Sequence, residues 1–174
     1  MRGLTKFDTA YFEKYKTKPV KIKPFSSKQT LIAKKIISQL KEQLPEFKIT
    51  YLIRGSTAFK ISGKGEVEVG VYPQPMDWNM VIEKLVKIYG PLEQSEDNYG
   101  RVNTTIDKVE VEIILLKDHE ANVDIKLHRY MMSNPEILKD YEKLKKDNCY
   151  SKRQYMIAKN EFLADVIEKI PDIF

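Results

Sequence analysis

One cysteine, Cys149, and two histidines are all that this 174-residue sequence holds of the soft metal ligands. A single cysteine excludes an internal disulfide framework, and three such side chains are too few for a zinc site built from cysteine and histidine. Long apolar runs are missing as well. No stretch approaches the ~20 predominantly apolar residues that a membrane-spanning helix needs. The opening segment Met1 to Pro19 is too polar for the apolar stretch of a secretory signal. These absences together set the expectation of a cytoplasmic protein without a membrane partner. Glycine is scarce, at seven residues, and no internal repeat or low-complexity segment stands out.

Apolar residues are present in sufficient amount, at 42%, for one substantial core. The expected organisation is an N-terminal arm over residues 1–19 and a single domain over residues 20–174. The net charge of +5 is unevenly spread. Residues 1–28 carry eight basic side chains against Asp8 and Glu13, a local charge of +6, which leaves the remainder one unit negative. The arm also holds Phe7, Tyr11, Phe12 and Tyr15 among its lysines. Such a segment either stacks bases on its aromatics or docks those aromatics on the core and leaves the lysines solvated.

Periodicity then divides the chain. Ser26 or Ser27 caps a helix whose apolar residues Leu31, Ile32, Ile36, Ile37 and Leu40 form one stripe, ending before Pro45. Ile49 to Arg54 reads as a strand running into Gly55-Ser56-Thr57, a small-residue turn that opens a helix. Glu66 to Tyr72 alternates with period two, valines on one side and Glu66 and Glu68 on the other. Asp77 to Tyr89 returns to helical spacing and stops at Gly90-Pro91. Arg101 to Ile106 and Val109 to Leu116 read as a hairpin turning at Asp107-Lys108, with Gln94 to Gly100 as loop. From about residue 122 the chain is helical, with breaks near Asn134-Pro135 and before Ser151. Interleaved strands and helices followed by helices alone indicate an α+β, or mixed α/β, architecture with a helical C-terminal extension.

Two carboxylates at i and i+2 of a strand share a face, so Glu66 and Glu68 can hold a hard divalent cation. Glu110 and Glu112 repeat the pattern on a later strand, and adjacency of the two strands would put up to four glutamates on one face. Carboxylates that close repel one another and raise each other's pKa unless a cation is present, which is the physical reason to expect a metal. The alternative is a pair of amphipathic strands with a solvated acidic face. Upstream, the Gly55 backbone can approach a phosphate closely, and the Ser56 hydroxyl and the N–H groups of the turn can hydrogen-bond its oxygens. Arg54, Lys60 and Lys64 flank that turn. His119 reads as a surface residue.

Gly-Ser, a spacer of nine residues (Thr57 to Gly65) and an acidic–apolar–acidic strand resemble the signature of the DNA polymerase β-like nucleotidyltransferase superfamily. Within it, Arg54-Gly55-Ser56-Thr57-Ala58 is similar to the opening of the GrpB-like family. Asn134-Pro135-Glu136, Tyr141, Leu144-Lys145, Tyr155, Lys159 and Phe162 resemble that family's C-terminal helices, and the resemblance spans about Val20 to Ile170.

It implies a nucleotidyltransferase-like sheet flanked by helices and a transferase that moves a nucleoside monophosphate from a nucleoside triphosphate to a hydroxyl of a small molecule, protein or RNA acceptor. It further implies Mg²⁺ or Mn²⁺ on Glu66, Glu68 and Glu110 or Glu112, with Glu66, Glu68 and Glu112 as the catalytic set. Phosphates would fall to Arg54, Gly55, Ser56, Thr57, Lys64, Lys145 and Lys159. Glu66 stands where the superfamily pattern has aspartate, and the extra methylene shifts a carboxylate by about 1 Å against the ~2.0–2.1 Å octahedral shell that Mg²⁺ demands. That departure keeps open a second expectation, an inactive module of the same fold that binds nucleotide, RNA or protein.

Overall fold

The computed structural model describes residues 6–171, which gather into two compact units. One comprises Phe25–Lys60 and Gly65–Asn122. Its first helix, α1 (Ser27–Gln43), is capped by Ser26, whose N–H donates to Gln29 Oε1 at 3.1 Å. Strand β1 (Ile49–Arg54) leads directly into the one-turn helix α2 (Gly55–Phe59). Then follow β2 (Val67–Pro73), α3 (Trp78–Tyr89), β3 (Gln94–Glu96), β4 (Tyr99–Ile106) and β5 (Val109–Leu116). The five strands form one sheet in the order β1-β2-β5-β4-β3.

Only β2 and β5 run parallel, and their crossover is made by α3, β3 and β4; the other neighbours are antiparallel. The β4–β5 turn holds Asp107 at φ 51 and Lys108 at φ 65, the left-handed pair of a two-residue hairpin whose twist matches its strands. Strand alternation sorts the sheet into two faces. Val67, Val69, Val71, Val102, Val111, Ile113 and Leu115 form the core with Ile32, Ile36 and Leu40 of α1 and Val81 and Leu85 of α3. Most of these side chains are fully buried, and each contributes roughly 1.5–3 kcal/mol by leaving water. That apolar face fixes the register, because a one-residue slip would turn every valine outward. The opposite face carries Arg54, Glu68 and Glu112.

The second unit comprises the described residues up to Pro24, Ile61–Lys64 and those from Val123 onward. It contains most of α4 (Asp118–Met132), with α5 (Pro135–Asp147) and α6 (Lys152–Glu168). The arm is part of this unit. Phe12 is buried, Phe7 and Tyr11 stack at 4.2 Å between ring centroids, and the Phe7 N–H donates to Asn160 Oδ1 at 2.9 Å. Phe12 is thus docked within this unit, while Phe7, Tyr11 and Tyr15 are half-buried.

Two sequence expectations need correction. The segment Gln94 to Gly100 is not loop throughout: Gln94–Glu96 pairs with Tyr99–Arg101 as a short hairpin. The helical tail begins at Asp118, four residues early, because Lys117 O already accepts from Ala121 N, and Asp118 and Glu120 suit the positive end of a helix.

Candidate functional site

The site residues in the sheet unit are set by register. Across the face opposite the core, Arg54 of β1 lies beside Glu68 of β2, Glu68 beside Glu112 of β5, and Glu112 beside Asn103 of β4. Paired positions on neighbouring strands point to the same side about 5 Å apart, so Glu68 and Glu112 form a side-by-side carboxylate pair. Both are half-buried. The question of which β5 glutamate faces β2's carboxylate is answered by this row: it is Glu112. Glu110 pairs instead with Thr105 and is exposed.

Glu66 precedes β2. Its carbonyl accepts from Gln29 Nε2 at 3.3 Å and from Thr57 Oγ1 at 3.4 Å. Thr57, expected to contact phosphate, is thus buried with its hydroxyl turned to the β2 entry, where it ties the turn to the strand. The four glutamates expected in one site are not grouped there. Among the described residues, no three histidine, cysteine, aspartate or glutamate side chains are grouped so as to hold a metal ion.

Gly55 lies against the Glu68 carboxylate. It has φ +58, a left-handed conformation, and a Cβ placed on it would lie 2.7 Å from Glu68 Oε1 and 3.0 Å from Cδ. Only glycine meets both conditions, the conformation and the approach. Ser56 follows, half-buried, at the start of α2.

Arg101 and Asn103 were not anticipated. Arg101 Nη1 lies 3.7 Å from Glu112 Oε1, both side chains about one quarter exposed, and Arg101 Nε is buried without a hydrogen-bond partner among the described residues. A cation with an unsatisfied donor therefore stands beside the carboxylates. Hairpin arithmetic would have found it: counting back from Ile106 opposite Val109 across the two-residue turn puts Asn103 opposite Glu112 and Arg101 one step diagonal.

The remaining candidates, Lys64, Lys145 and Lys159, belong to the second unit. Lys145 is buried, its Nζ donating to the Ser62 carbonyl and lying 4.9 Å from the Tyr141 ring centroid. These contacts hold its ammonium within the unit. Lys159 lies on α6 and is half-buried. In the same unit, Ser62 N–H donates to Glu142 Oε1 at 2.8 Å and Lys146 lies at 3.1 Å, which together hold the Glu142 carboxyl down at about 2. His119 is exposed, as expected; His128 is buried and its Nδ1 donates to the Asp124 carbonyl at 2.8 Å. No helix among the described residues is long and apolar enough to cross a membrane.

No protein-family model and no curated protein matches the chain. Among solved structures it is similar to the polymerase beta of Leishmania infantum in a ternary P/T complex, at 13% identity and a TM-score of 0.43 over 80% of this chain and 56% of that one. The ternary gap complex of that polymerase gives 12% and 0.43, over 80% and 50%. A STING-associated CdnE c-di-GMP synthase from Capnocytophaga granulosa gives 12% and 0.41, over 84% and 55%. The chain spans about half the length of each of these proteins. What the chain itself establishes is an α+β fold whose mixed five-stranded sheet sets Glu68 and Glu112 side by side next to the Gly55 turn.

Proposed function

We propose that the chain is a nucleotidyltransferase of the GrpB-like kind, transferring a nucleoside monophosphate from a nucleoside triphosphate to a hydroxyl acceptor. One observation carries this reading: the parallel pairing of β2 with β5 that sets Glu68 against Glu112, with the Gly55 backbone against the Glu68 carboxylate. The Arg54-Gly55-Ser56-Thr57-Ala58 run supports the family assignment.

In this reading the chain's own groups divide the work. Gly55 lets the turn backbone approach the triphosphate without a side chain in the way, and Ser56 offers a hydroxyl to a phosphate oxygen. Arg54 adds positive charge at the end of the carboxylate row. Glu68 and Glu112 suit Mg²⁺ or Mn²⁺, because such ions are commonly bound by one or two carboxylates together with substrate phosphates. When bound, the ion would neutralise phosphate charge and align the acceptor with the α-phosphorus. Arg101 balances the Glu112 charge at 3.7 Å and brings an unsatisfied donor to the same place.

The test is release of pyrophosphate from each common nucleoside triphosphate in the presence of Mg²⁺ or Mn²⁺. Glu68→Gln and Glu112→Gln should each lower the rate by about 100-fold or more, the loss seen when an electrostatic stabiliser of a charged transition state is removed. If no nucleotide shifts the unfolding temperature and Glu68→Ala leaves every readout unchanged, the reading is wrong.

A second reading is favoured by the Arg101–Glu112 pair, which already gives one carboxylate a cationic partner. On that basis the chain binds nucleotide without metal and without turnover. Metal-independent binding with no pyrophosphate release would select it over the first.

A further inference from the structure

The arm and the start of α6 bring together basic residues far apart in sequence. Arg153 N–H donates to Lys16 O at 3.2 Å and Lys152 N–H to Lys18 O at 2.8 Å, so residues 16–18 run along the first turn of α6. The Arg153 guanidinium clamps the same strip, donating to Glu13 O at 2.8 Å and Tyr15 O at 3.2 Å. Tyr15 lies between two cations, with Lys14 Nζ 5.5 Å and Lys152 Nζ 5.7 Å from its ring centroid.

Lys14, Lys16, Lys18 and Lys152 are all exposed, and none forms an ion pair with a carboxylate among the described residues. On α5 of the same unit, by contrast, the exposed Lys139, Lys143 and Lys146 each face a glutamate or aspartate. The unit that carries the patch holds eighteen basic against eleven acidic residues, whereas the sheet unit holds twelve against fourteen. Like charges gathered without counter-charges repel and cost stability unless an anion meets them.

We propose that this patch is a binding surface for the phosphodiester backbone of a polynucleotide. The choice of partner follows from what surrounds the cations. Phe12 is buried and Phe7, Tyr11 and Tyr15 are half-buried in ring–ring contacts, whereas the lysines are exposed, so charge is the recognition element. Charge alone reads phosphates rather than sequence, and it tolerates any base order. The patch belongs to the unit of α5 and α6 and the carboxylate pair to the sheet unit, and the proposal stands whether or not that pair transfers nucleotides.

The experiment is fluorescence anisotropy of the full chain with a labelled single-stranded RNA of mixed sequence, titrated between roughly 50 and 200 mM salt. Binding should weaken steeply with salt. Replacing Lys14, Lys16, Lys18 and Lys152 by alanine should flatten the log–log slope by about 0.7 per lysine that meets a phosphate, close to 3 for all four, which corresponds to losing about 50-fold of salt sensitivity over that range. The four Lys→Arg substitutions should keep the binding, and Lys139→Ala with Lys143→Ala should leave it unchanged. Lys16→Glu with Lys18→Glu leaves the ring contacts of Lys14 and Lys152 intact and decides the matter if the quadruple variant does not fold. Equal binding of single-stranded DNA supports a backbone reader, and preference for RNA supports one that also meets the 2′-hydroxyl. The proposal is overturned if neither polynucleotide binds at the lowest salt, if the patch variants bind as the wild type does, if the Lys139 and Lys143 control loses as much, or if anionic phosphatidylserine vesicles bind and RNA does not.

Discussion

Gly55→Ala changes a single hydrogen into a methyl group, and two independent costs arise from it. The first is conformational. At φ +58 an alanine sits in the left-handed region, at about 1–2 kcal/mol. The second is steric. The new Cβ would lie 2.7 Å from Glu68 Oε1, too close for real atoms, and the carboxylate is the part able to yield. Swinging it off its preferred rotamer costs about 0.5–1.5 kcal/mol. The sum, about 1.5–3.5 kcal/mol, contrasts with the usual Gly→Ala exchange at a compatible site, which stabilises by about 0.4–1 kcal/mol.

The two costs separate in a double-mutant cycle with Glu68→Ala, measured by urea unfolding. In the Glu68→Ala background the clash has no partner, so Gly55→Ala should cost only its backbone part. The two substitutions should therefore be non-additive by about 0.5–1.5 kcal/mol, the double variant being more stable than the sum of the singles implies. Nucleotide affinity gives a second readout, since a displaced Glu68 no longer stands squarely beside Glu112. Strict additivity, or a Gly55→Ala protein as stable as wild type, would refute the placing of that carboxylate against the turn.

Three further outcomes follow from the same structure. Gly70→Ala should destabilise by about 1–3 kcal/mol, because a Cβ there would lie 2.2 Å from Tyr72 Oη and 2.5 Å from Cζ; Tyr72→Phe should not rescue it, since the ring itself is in the way, as urea unfolding of single and double variants will show. Glu142 has its folded pKa depressed to about 2 from 4.5 by hydrogen bonds to Ser62 and then by Lys146, so its stabilisation is present above pH 4.5 and is lost as pH falls toward 2. Glu142→Gln should flatten that part of the stability-versus-pH curve, and an unchanged acid limb would contradict the assignment. Arg153→Ala should loosen the arm selectively, detected as faster amide exchange at residues 13–18 with the sheet unaffected, since the guanidinium donates to two arm carbonyls.

Local patterns were legible in the sequence; long-range pairings were not. The alternation of valine with glutamate announced β2 and β5, and the apolar stripe of α1 was plain, because each pattern repeats within a few residues. The choice between Glu110 and Glu112 was not readable, since it depends on a parallel register between strands some forty residues apart. Strand β3 escaped because Gln94-Ser95-Glu96 has no intrinsic strand preference and exists through its pairing with β4. The burial of Lys145 was not readable either: lysine on a helix is normally solvated, and besides the Tyr141 ring one turn away it meets the Ser62 carbonyl, which is remote in sequence. Of the carboxylates, composition and spacing suggested four in one site, and the sheet brings two side by side.

The central claim is that Glu68 and Glu112 act as one cation-binding pair beside the Gly55 turn, and calorimetric titration of Mn²⁺ into the chain saturated with a non-hydrolysable nucleoside triphosphate tests it most directly. A nucleotide-dependent site is expected, lost in Glu68→Gln and in Glu112→Gln and retained in Glu110→Gln. Mn²⁺ binding that survives both of the first two substitutions, or that disappears with Glu110→Gln alone, would contradict it.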